Sequence, residues 1–255
     1  MPVPSGFCRC PPPAEASPMD RAWLLHLMRE NKYLLLLLSL LLLAVVDPLV
    51  ERTSLPILIL NLLLCVVVAA AVYALSQQRR PFLGTLVLGG MALGGIWASY
   101  FTEGAAADIH YYAVVIRFLA YVTFLILVVV LILRDVLQNG EVTANRLYGS
   151  ICVYLLLGVV WATVYALIAF SQPGSFTIAQ SYLPLEDHAG LGYHRFSIFL
   201  YHSYVTLTTL GYGDVSPVSE VARTFSWLEA VVGQLYLAVL IARLVGLYII
   251  HHERQ

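Results

Sequence analysis

Six long apolar runs constrain this chain more than any other feature of its sequence. Each spans about 18 residues or more, which as a helix is enough to cross the hydrocarbon core of a bilayer. The composition agrees, because 60 % of the 255 residues are hydrophobic and 11 % are charged, with a mean hydropathy of +0.82. We therefore expect an all-α membrane protein with six transmembrane helices, at residues 33–50, 55–75, 82–100, 113–133, 147–170 and 225–250.

Net charge and cysteine usage give little indication of a cofactor or a soluble partner. The formal net charge is −1, which gives no reason to expect nucleic-acid binding. Cys65 and Cys152 lie within apolar runs, where cysteine behaves as a small hydrophobic residue. Cys8 and Cys10 lie in a proline-rich tail and could bind a metal or carry a lipid, although no further ligands are near them.

Basic residues are distributed unequally between the two sides of the predicted helices. If the N-terminus is cytoplasmic, nine of the fourteen basic residues fall in cytoplasmic segments, as the positive-inside tendency requires. We therefore expect both termini in the cytoplasm and an extracellular loop between the last two helices. The nine are Arg9, Arg21, Arg29, Lys32, Arg79, Arg80, Arg134, Arg146 and Arg254; Arg52, Arg195 and Arg223 fall outside, and Arg117 and Arg243 lie within spans.

The last loop contains the stretch Thr-Leu-Thr-Thr-Leu-Gly-Tyr-Gly-Asp at residues 206–214. A backbone that turns successive carbonyl oxygens inward needs alternating conformations, and glycine adopts those that a Cβ atom disfavours. The stretch resembles the selectivity-filter signature of the potassium-channel family, T-x-x-T-V-G-Y-G-D. This resemblance implies that K⁺ is the permeant ion and that backbone oxygens replace its hydration shell. The implied K⁺-binding residues are Thr209, Leu210, Gly211, Tyr212 and Gly213.

The same resemblance assigns roles to residues around the filter. Residues 196–208 correspond to a re-entrant pore helix, whose C-terminal end directs partial negative charge toward the pore. Tyr201 and His202 stand where relatives carry an aromatic pair, and His202 could bond the Tyr212 hydroxyl or titrate. Asp214 is implied to be the carboxylate of the outer mouth, which could accept a hydrogen bond from Tyr201.

Two further positions depart from the family pattern, and two more are expected to support the filter. Val205 stands where some relatives carry a glutamate, so a carboxylate pair behind the filter is not expected. Leu210 replaces the usual valine but presents the same carbonyl group. Thr208 and Glu229 are expected to support the filter, and Glu229 needs a partner or water because it lies inside an apolar span.

The sixth helix carries a glycine and a stripe of residues at spacings of three and four. Gly233 stands where the family's inner helix has its hinge glycine, and both a hinge and a close-packing role are open. By resemblance the stripe lines a water-filled cavity; without the filter it would be interpreted as facing lipid or a helix. Arg243 is expected to reach lipid phosphate near the inner interface. The stripe consists of Gln234, Leu237, Ile241 and Val245.

The first four helices share the layout of a voltage sensor but not its charges. Arg117 and Arg134 are the basic residues around the fourth span, so we expect weak or absent voltage dependence. Arg117 is interpreted as an anchor, paired with Asp47, Glu51 or Glu103. After the sixth helix only residues 250–255 follow, so no regulatory domain is expected there. The expected domains are a tail with an amphipathic lead-in at 1–32, a four-helix domain at 33–137 and a pore domain at 138–255.

These patterns lead to the hypothesis of a homotetrameric, potassium-selective channel of the plasma membrane that is not an enzyme. One filter strand per chain requires four chains, and the expected partners are membrane lipids and an unidentified regulatory subunit. No cofactor is expected besides the permeant K⁺. A non-selective cation channel and a non-conducting sensor or accessory subunit stay open as alternatives. A potassium transporter is disfavoured because it needs four filter loops in one chain.

Overall fold

The structure is a computed structural model that describes residues 32–50, 56–75, 85, 87–91, 93–94, 107–138, 143–179 and 191–252. The predicted tail, the amphipathic lead-in, Cys8 and Cys10 lie outside the described residues. The elements in chain order are α1 Lys32–Val50, α2 Pro56–Leu75, α3 Ala107–Leu137, α4 Ala144–Ser171, β1 Phe176–Ile178, α5 Leu191–Leu207, β2 Val215–Pro217 and α6 Glu220–His252. Residues 85, 87–91 and 93–94 are also helical.

Three of the described helices are long and apolar enough to cross a membrane. They contain the segments Asp108–Leu137, Ala144–Ser171 and Glu220–Arg243, while α1 and α2 contribute the shorter apolar segments Lys32–Val46 and Leu62–Ala74. The protein is therefore a mostly helical membrane protein, and the count of six spans is taken up below as a proposal.

Two helices begin at least five residues earlier than hydropathy alone predicts, because polar residues suit a helix start. α3 begins at Ala107 instead of residue 113 and places Asp108 in its first turn, where a negative charge is favourable. α6 begins at Glu220 instead of residue 225. Ser219 precedes it, and the Ala222 N–H donates to Ser219 Oγ at 3.2 Å, as at a capped N-terminus.

The helix α4 forms the centre of the bundle. It packs against α1, α3, α5 and α6 of its own chain, and its buried face includes Leu156, Val159 and Tyr165. Residues 138–143 join α3 to α4, so these two helices form a hairpin. The helices α1 and α3 therefore pack beside the α4 helix of the same chain.

Polar contacts gather the ends of several helices on one side of the bundle. Lys32 Nζ at the start of α1 lies 2.8 Å from Asp135 Oδ2 at the end of α3, and Tyr33 Oη donates to the same oxygen. The Tyr33 N–H donates to Asn145 Oδ1 at the start of α4. We call this the inner end of the bundle, and residues 206–214 lie toward the opposite end.

Two arginines make contacts other than those expected from the sequence. Arg243 donates from Nη2 to the Gln138 carbonyl at 2.8 Å, so it binds protein directly after the end of α3. The Arg117 guanidinium carbon lies 5.0 Å from the centroid of the Phe118 ring. Of the anchors expected for Arg117, Glu51 and Glu103 lie outside the described residues, and the side chain of Asp47 is also outside what the structure describes.

A two-stranded sheet interrupts the otherwise helical chain, and the all-α prediction missed it. β1 and β2 pair in antiparallel register, with Phe176 opposite Pro217 and Ile178 opposite Val215. The N–H groups of Val218 and Ser219 both donate to the Ser175 carbonyl. This sheet ties the end of α4 to the segment that follows residues 206–214.

Candidate functional site

The helix α5 ends in a tight turn that starts the stretch 206–214. The Val205 carbonyl accepts hydrogen bonds from the N–H groups of Leu210 at 2.9 Å and Gly211 at 3.3 Å. Thr208 Oγ1 donates to the Tyr204 carbonyl at 2.6 Å. Thr208 therefore closes the last turn of α5, which is a structural basis for its expected supporting role.

Alternate residues of the stretch adopt left-handed backbone conformations. The φ angles are 59° at Thr209, 59° at Gly211 and 78° at Gly213. The spacing of Gly211 and Gly213 indicates this alternation, which also includes Thr209, two residues before Gly211. A β-branched residue with positive φ costs about 1–2 kcal/mol, so the surrounding turn holds Thr209 there. Sequence reasoning missed this strain, although Thr209 lies two residues before Gly211.

The same stretch is exposed in a single chain. All residues from 208 to 213 are exposed, and Leu210 and Tyr212 have 55 % and 66 % of their surface accessible. An added Cβ at Gly211 or Gly213 would meet nothing within 4 Å, so only the φ angle demands glycine there. One chain thus presents this strand on an open face without enclosing it.

Hydrogen bonds fix the residue that ends the stretch. Tyr201 Oη donates to Asp214 Oδ2 at 2.7 Å, which is the contact that the resemblance implies. The Asp214 carbonyl accepts from the Ala179 N–H at 2.9 Å, just beyond β1. Asp214 is therefore held by α5 on one side and by the β1 segment on the other.

His202 is buried behind the stretch and packs between aromatic rings. It is 5 % exposed, with ring centroids 5.2 Å from Tyr165 and 5.7 Å from Phe176. Burial lowers the pKa of His202, while the nearby Asp214 acts in the opposite direction. Its Nε2 has no hydrogen-bond partner among the described residues. His202 Nε2 therefore does not bond the Tyr212 hydroxyl of the same chain, a bond that the resemblance allowed.

Glu229 has the partners that its position inside an apolar span requires. The residue is fully buried, and Tyr165 Oη donates to its Oε2 at 2.5 Å. Ser203 Oγ lies 2.5 Å from its Oε1. The carboxyl group thus joins α6 to α4 and to α5, at a distance from the stretch itself.

The structure supports a close-packing role for Gly233. An added Cβ would lie 2.7 Å from the Leu207 carbonyl oxygen and 2.9 Å from Leu207 Cδ1, closer than real Cβ contacts allow. The same carbonyl accepts a hydrogen bond from Tyr154 Oη at 3.2 Å. Gly233 therefore lets α6 approach the C-terminal end of α5, where the stretch begins.

The stripe on α6 is largely uncovered in one chain. Gln234, Ile241 and Val245 are exposed and Leu237 is half-buried. Only 17 % of the apolar segment of α6 is buried, against 61 % for that of α4. The exposed face of α6 and the exposed strand at 208–213 both belong to the half of the chain that follows α4.

Part of the chain is similar to a known protein family. Residues 151–249 match the family model described as an ion channel. The matched segment runs from α4 through α5 and residues 206–214 to α6, so this part of the chain is similar to an ion-channel domain. No curated protein matches the chain.

Proposed function

We propose that four copies of this chain assemble into a membrane channel that conducts K⁺ passively through residues 209–213. The observation that carries the proposal is the alternation of left-handed φ angles at Thr209, Gly211 and Gly213. Alternating conformations turn the carbonyl groups of successive residues to the same side of the strand. A row of such oxygens can replace the hydration shell of a dehydrated cation.

The exposure of a single chain supports assembly into a homotetramer. A coordination cage needs oxygens on all sides, and one chain supplies a single strand with residues 208–213 uncovered. On α6, large apolar side chains such as Leu235 and Val239 are more than half exposed, at 59 % and 57 %. Neighbouring copies would cover these surfaces, while membrane lipids would cover the outward face of the front helices.

The position of Lys32 supports six membrane spans. Lys32 at the start of α1 and Asp135 at the end of α3 lie 2.8 Å apart, so both ends are on one side. A chain returns to the same side only after an even number of crossings. We assign three crossings to the helices α1, α2 and α3, and the fourth to the helical residues 85, 87–91 and 93–94. With α4 and α6 the total is six, and both termini are cytoplasmic if the basic residues face inward.

The charge content of α3 supports weak or absent voltage dependence. Its arginines are Arg117 and Arg134, which are about 25 Å apart along the helix axis at 1.5 Å per residue. One charge moved fully across 100 mV is worth about 2.3 kcal/mol, and steep gating needs about three to four per subunit. A nearly linear current–voltage relation in symmetric K⁺ is expected, and steep sigmoidal activation would contradict it.

The experiment that tests the function is K⁺ flux into liposomes that contain the purified protein and hold a potassium gradient. Flux that is blocked by Ba²⁺ is expected. Gly211→Ala should abolish it, because alanine disfavours the φ of 59° at that position. Gly174→Ala is the matched control: Gly174 also has a positive φ, 88°, but lies in the turn before β1. Flux that persists in Gly211→Ala would refute the filter assignment, whereas equal loss in both variants would point to misfolding.

A further inference from the structure

The carboxyl group of Glu229 lies where three helices of one chain meet. It projects from α6, contacts Tyr165 of α4 through Oε2 and contacts Ser203 of α5 through Oε1, both at 2.5 Å. Its side chain is fully buried. Among the described residues its hydrogen bonds go to Tyr165 and Ser203 and not to residues 209–213, so coordination of an ion by that strand does not explain an ionisable group here.

The hydrogen-bond pattern around Ser203 determines how many protons this cluster needs. Ser203 Oγ lies 2.5 Å from Glu229 Oε1 and also 2.8 Å from the Gly158 carbonyl oxygen of α4. A hydroxyl group donates one proton, a carbonyl oxygen only accepts, and an ionised carboxylate only accepts. With an ionised Glu229, one of these two contacts would join two acceptors without a proton between them.

A neutral carboxylic acid satisfies every contact. Glu229 then donates from Oε1 to Ser203 Oγ, Ser203 donates to the Gly158 carbonyl, and Tyr165 donates to Glu229 Oε2. Gly158 suits this arrangement because an added Cβ would lie 2.2 Å from the Tyr204 ring. The missing side chain allows α5 to approach α4 closely enough for Ser203 to reach the carbonyl.

Among the residues that the structure describes, no positive charge compensates a charge on Glu229. The phenols of Tyr165 and Tyr154 face it from α4, and the buried His202 of α5 packs against the Tyr165 ring. Ser226 of α6 also lies beside this cluster. Within the described ranges no Lys or Arg side chain forms an ion pair with Glu229. An unpaired buried carboxylate is costly, which favours the protonated form.

We propose that Glu229 is a protonated positioning residue that ties α6 to α5 through Ser203 and, through Ser203, to the Gly158 carbonyl of α4. The chain of hydrogen bonds fixes the pore helix between the outer and inner helices. The effect on conduction rests on the proposed channel function, whereas the protonation state does not.

Infrared difference spectroscopy of the full-length protein in lipid bilayers at neutral pH tests the protonation state. The spectrum of the native protein minus that of Glu229→Gln is expected to show the carbonyl stretch of a protonated carboxylic acid. Ser203→Ala should shift this band, because the acid loses its hydrogen-bond acceptor. Carboxylate bands in place of the acid band, or a band that Ser203→Ala leaves unmoved, would overturn the assignment.

K⁺ flux in liposomes tests the positioning role separately. Glu229→Gln is expected to retain flux within about twofold, because the amide nitrogen can donate to Ser203 while the amide oxygen accepts from Tyr165. Glu229→Ala should lose about tenfold, since it leaves Ser203 and Tyr165 without their shared partner. Where Glu229→Ala does not fold, Ser203→Ala takes its place, with the same loss expected. Equal flux in the glutamine and truncated variants would overturn the positioning role. A native protein without flux would refute the channel function and leave the infrared result standing.

Discussion

Gly233→Ala should separate α6 from the end of α5 and so disturb the filter. The added Cβ would lie 2.7 Å from the Leu207 carbonyl oxygen, about 0.7 Å short of the 3.4 Å at which ordinary contacts begin. The obstructing atom belongs to the backbone, so it has no alternative rotamer. Leu207 is the last residue of α5. Relief of the clash therefore has to move either α6 or the backbone at the start of the turn that follows Leu207.

The expected change in the free energy of unfolding is the sum of two opposed contributions. Overpacking of this kind costs about 1–3 kcal/mol. Alanine also raises helix propensity over glycine by about 1 kcal/mol, which offsets part of that cost. Gly246→Ala on the same helix is the matched control, because its Cβ would meet nothing within 4 Å and only the propensity gain applies. The two variants are therefore expected to differ by about 1–3 kcal/mol.

The assay combines denaturant unfolding of the purified protein with K⁺ flux in liposomes. Gly233→Ala should be less stable than Gly246→Ala and should conduct less, while Gly246→Ala should resemble the native protein in flux. Equal stability of the two variants with native flux in both would refute the close-packing argument. Loss of flux in Gly233→Ala without loss of stability would indicate a hinge in place of a packing contact.

Three further predictions concern the side chains of Tyr201, Lys32 and His202. Tyr201→Phe removes the 2.7 Å hydrogen bond to Asp214. Hydrogen bonds to charged groups contribute about 1.5–3 kcal/mol, so the variant should stay folded but carry less sustained K⁺ flux. Unchanged flux would contradict this prediction. Lys32→Met should destabilise the protein, because it removes the ion-pair partner of Asp135, whose side chain is 21 % exposed. Asp135→Asn in the same chain should recover part of the loss, and purely additive effects would argue against the pair. Burial lowers the pKa of His202, so the unfolded chain binds its proton more readily and stability should fall as the pH drops below about 6.5, a dependence that His202→Gln removes. A pH profile of unfolding that is identical in His202→Gln would contradict this.

Much of the helical framework follows from the sequence because a bilayer imposes it. Backbone polar groups cannot stay unpaired in hydrocarbon, so an apolar run of this length has to be helical. The alternating backbone of residues 209–213 is also predictable, since alternating glycines indicate alternating φ angles within a few residues. The bond from Tyr201 to Asp214 follows the same local logic, because only thirteen residues separate the two.

Contacts between distant segments could not be predicted in the same way. The strands β1 and β2 have three residues each, too few to give a periodic signal, and their pairing depends on where α4 ends. The sequence indicates that Glu229 needs a partner but not that Tyr165 and Ser203 provide it, since the three lie on different helices. The role of Gly233 likewise emerges only when the end of α5 is placed against α6.

The most direct test of the central claim is the reversal potential of the purified protein in a planar bilayer, with K⁺ on one side and Na⁺ on the other. If the carbonyl groups of residues 209–213 replace the hydration shell of K⁺, the current should reverse far from zero, at a potential that is negative on the K⁺ side and opposes K⁺ efflux from it. A reversal potential near zero would show that both cations pass equally, and the K⁺-selective filter assigned to these residues would then be wrong.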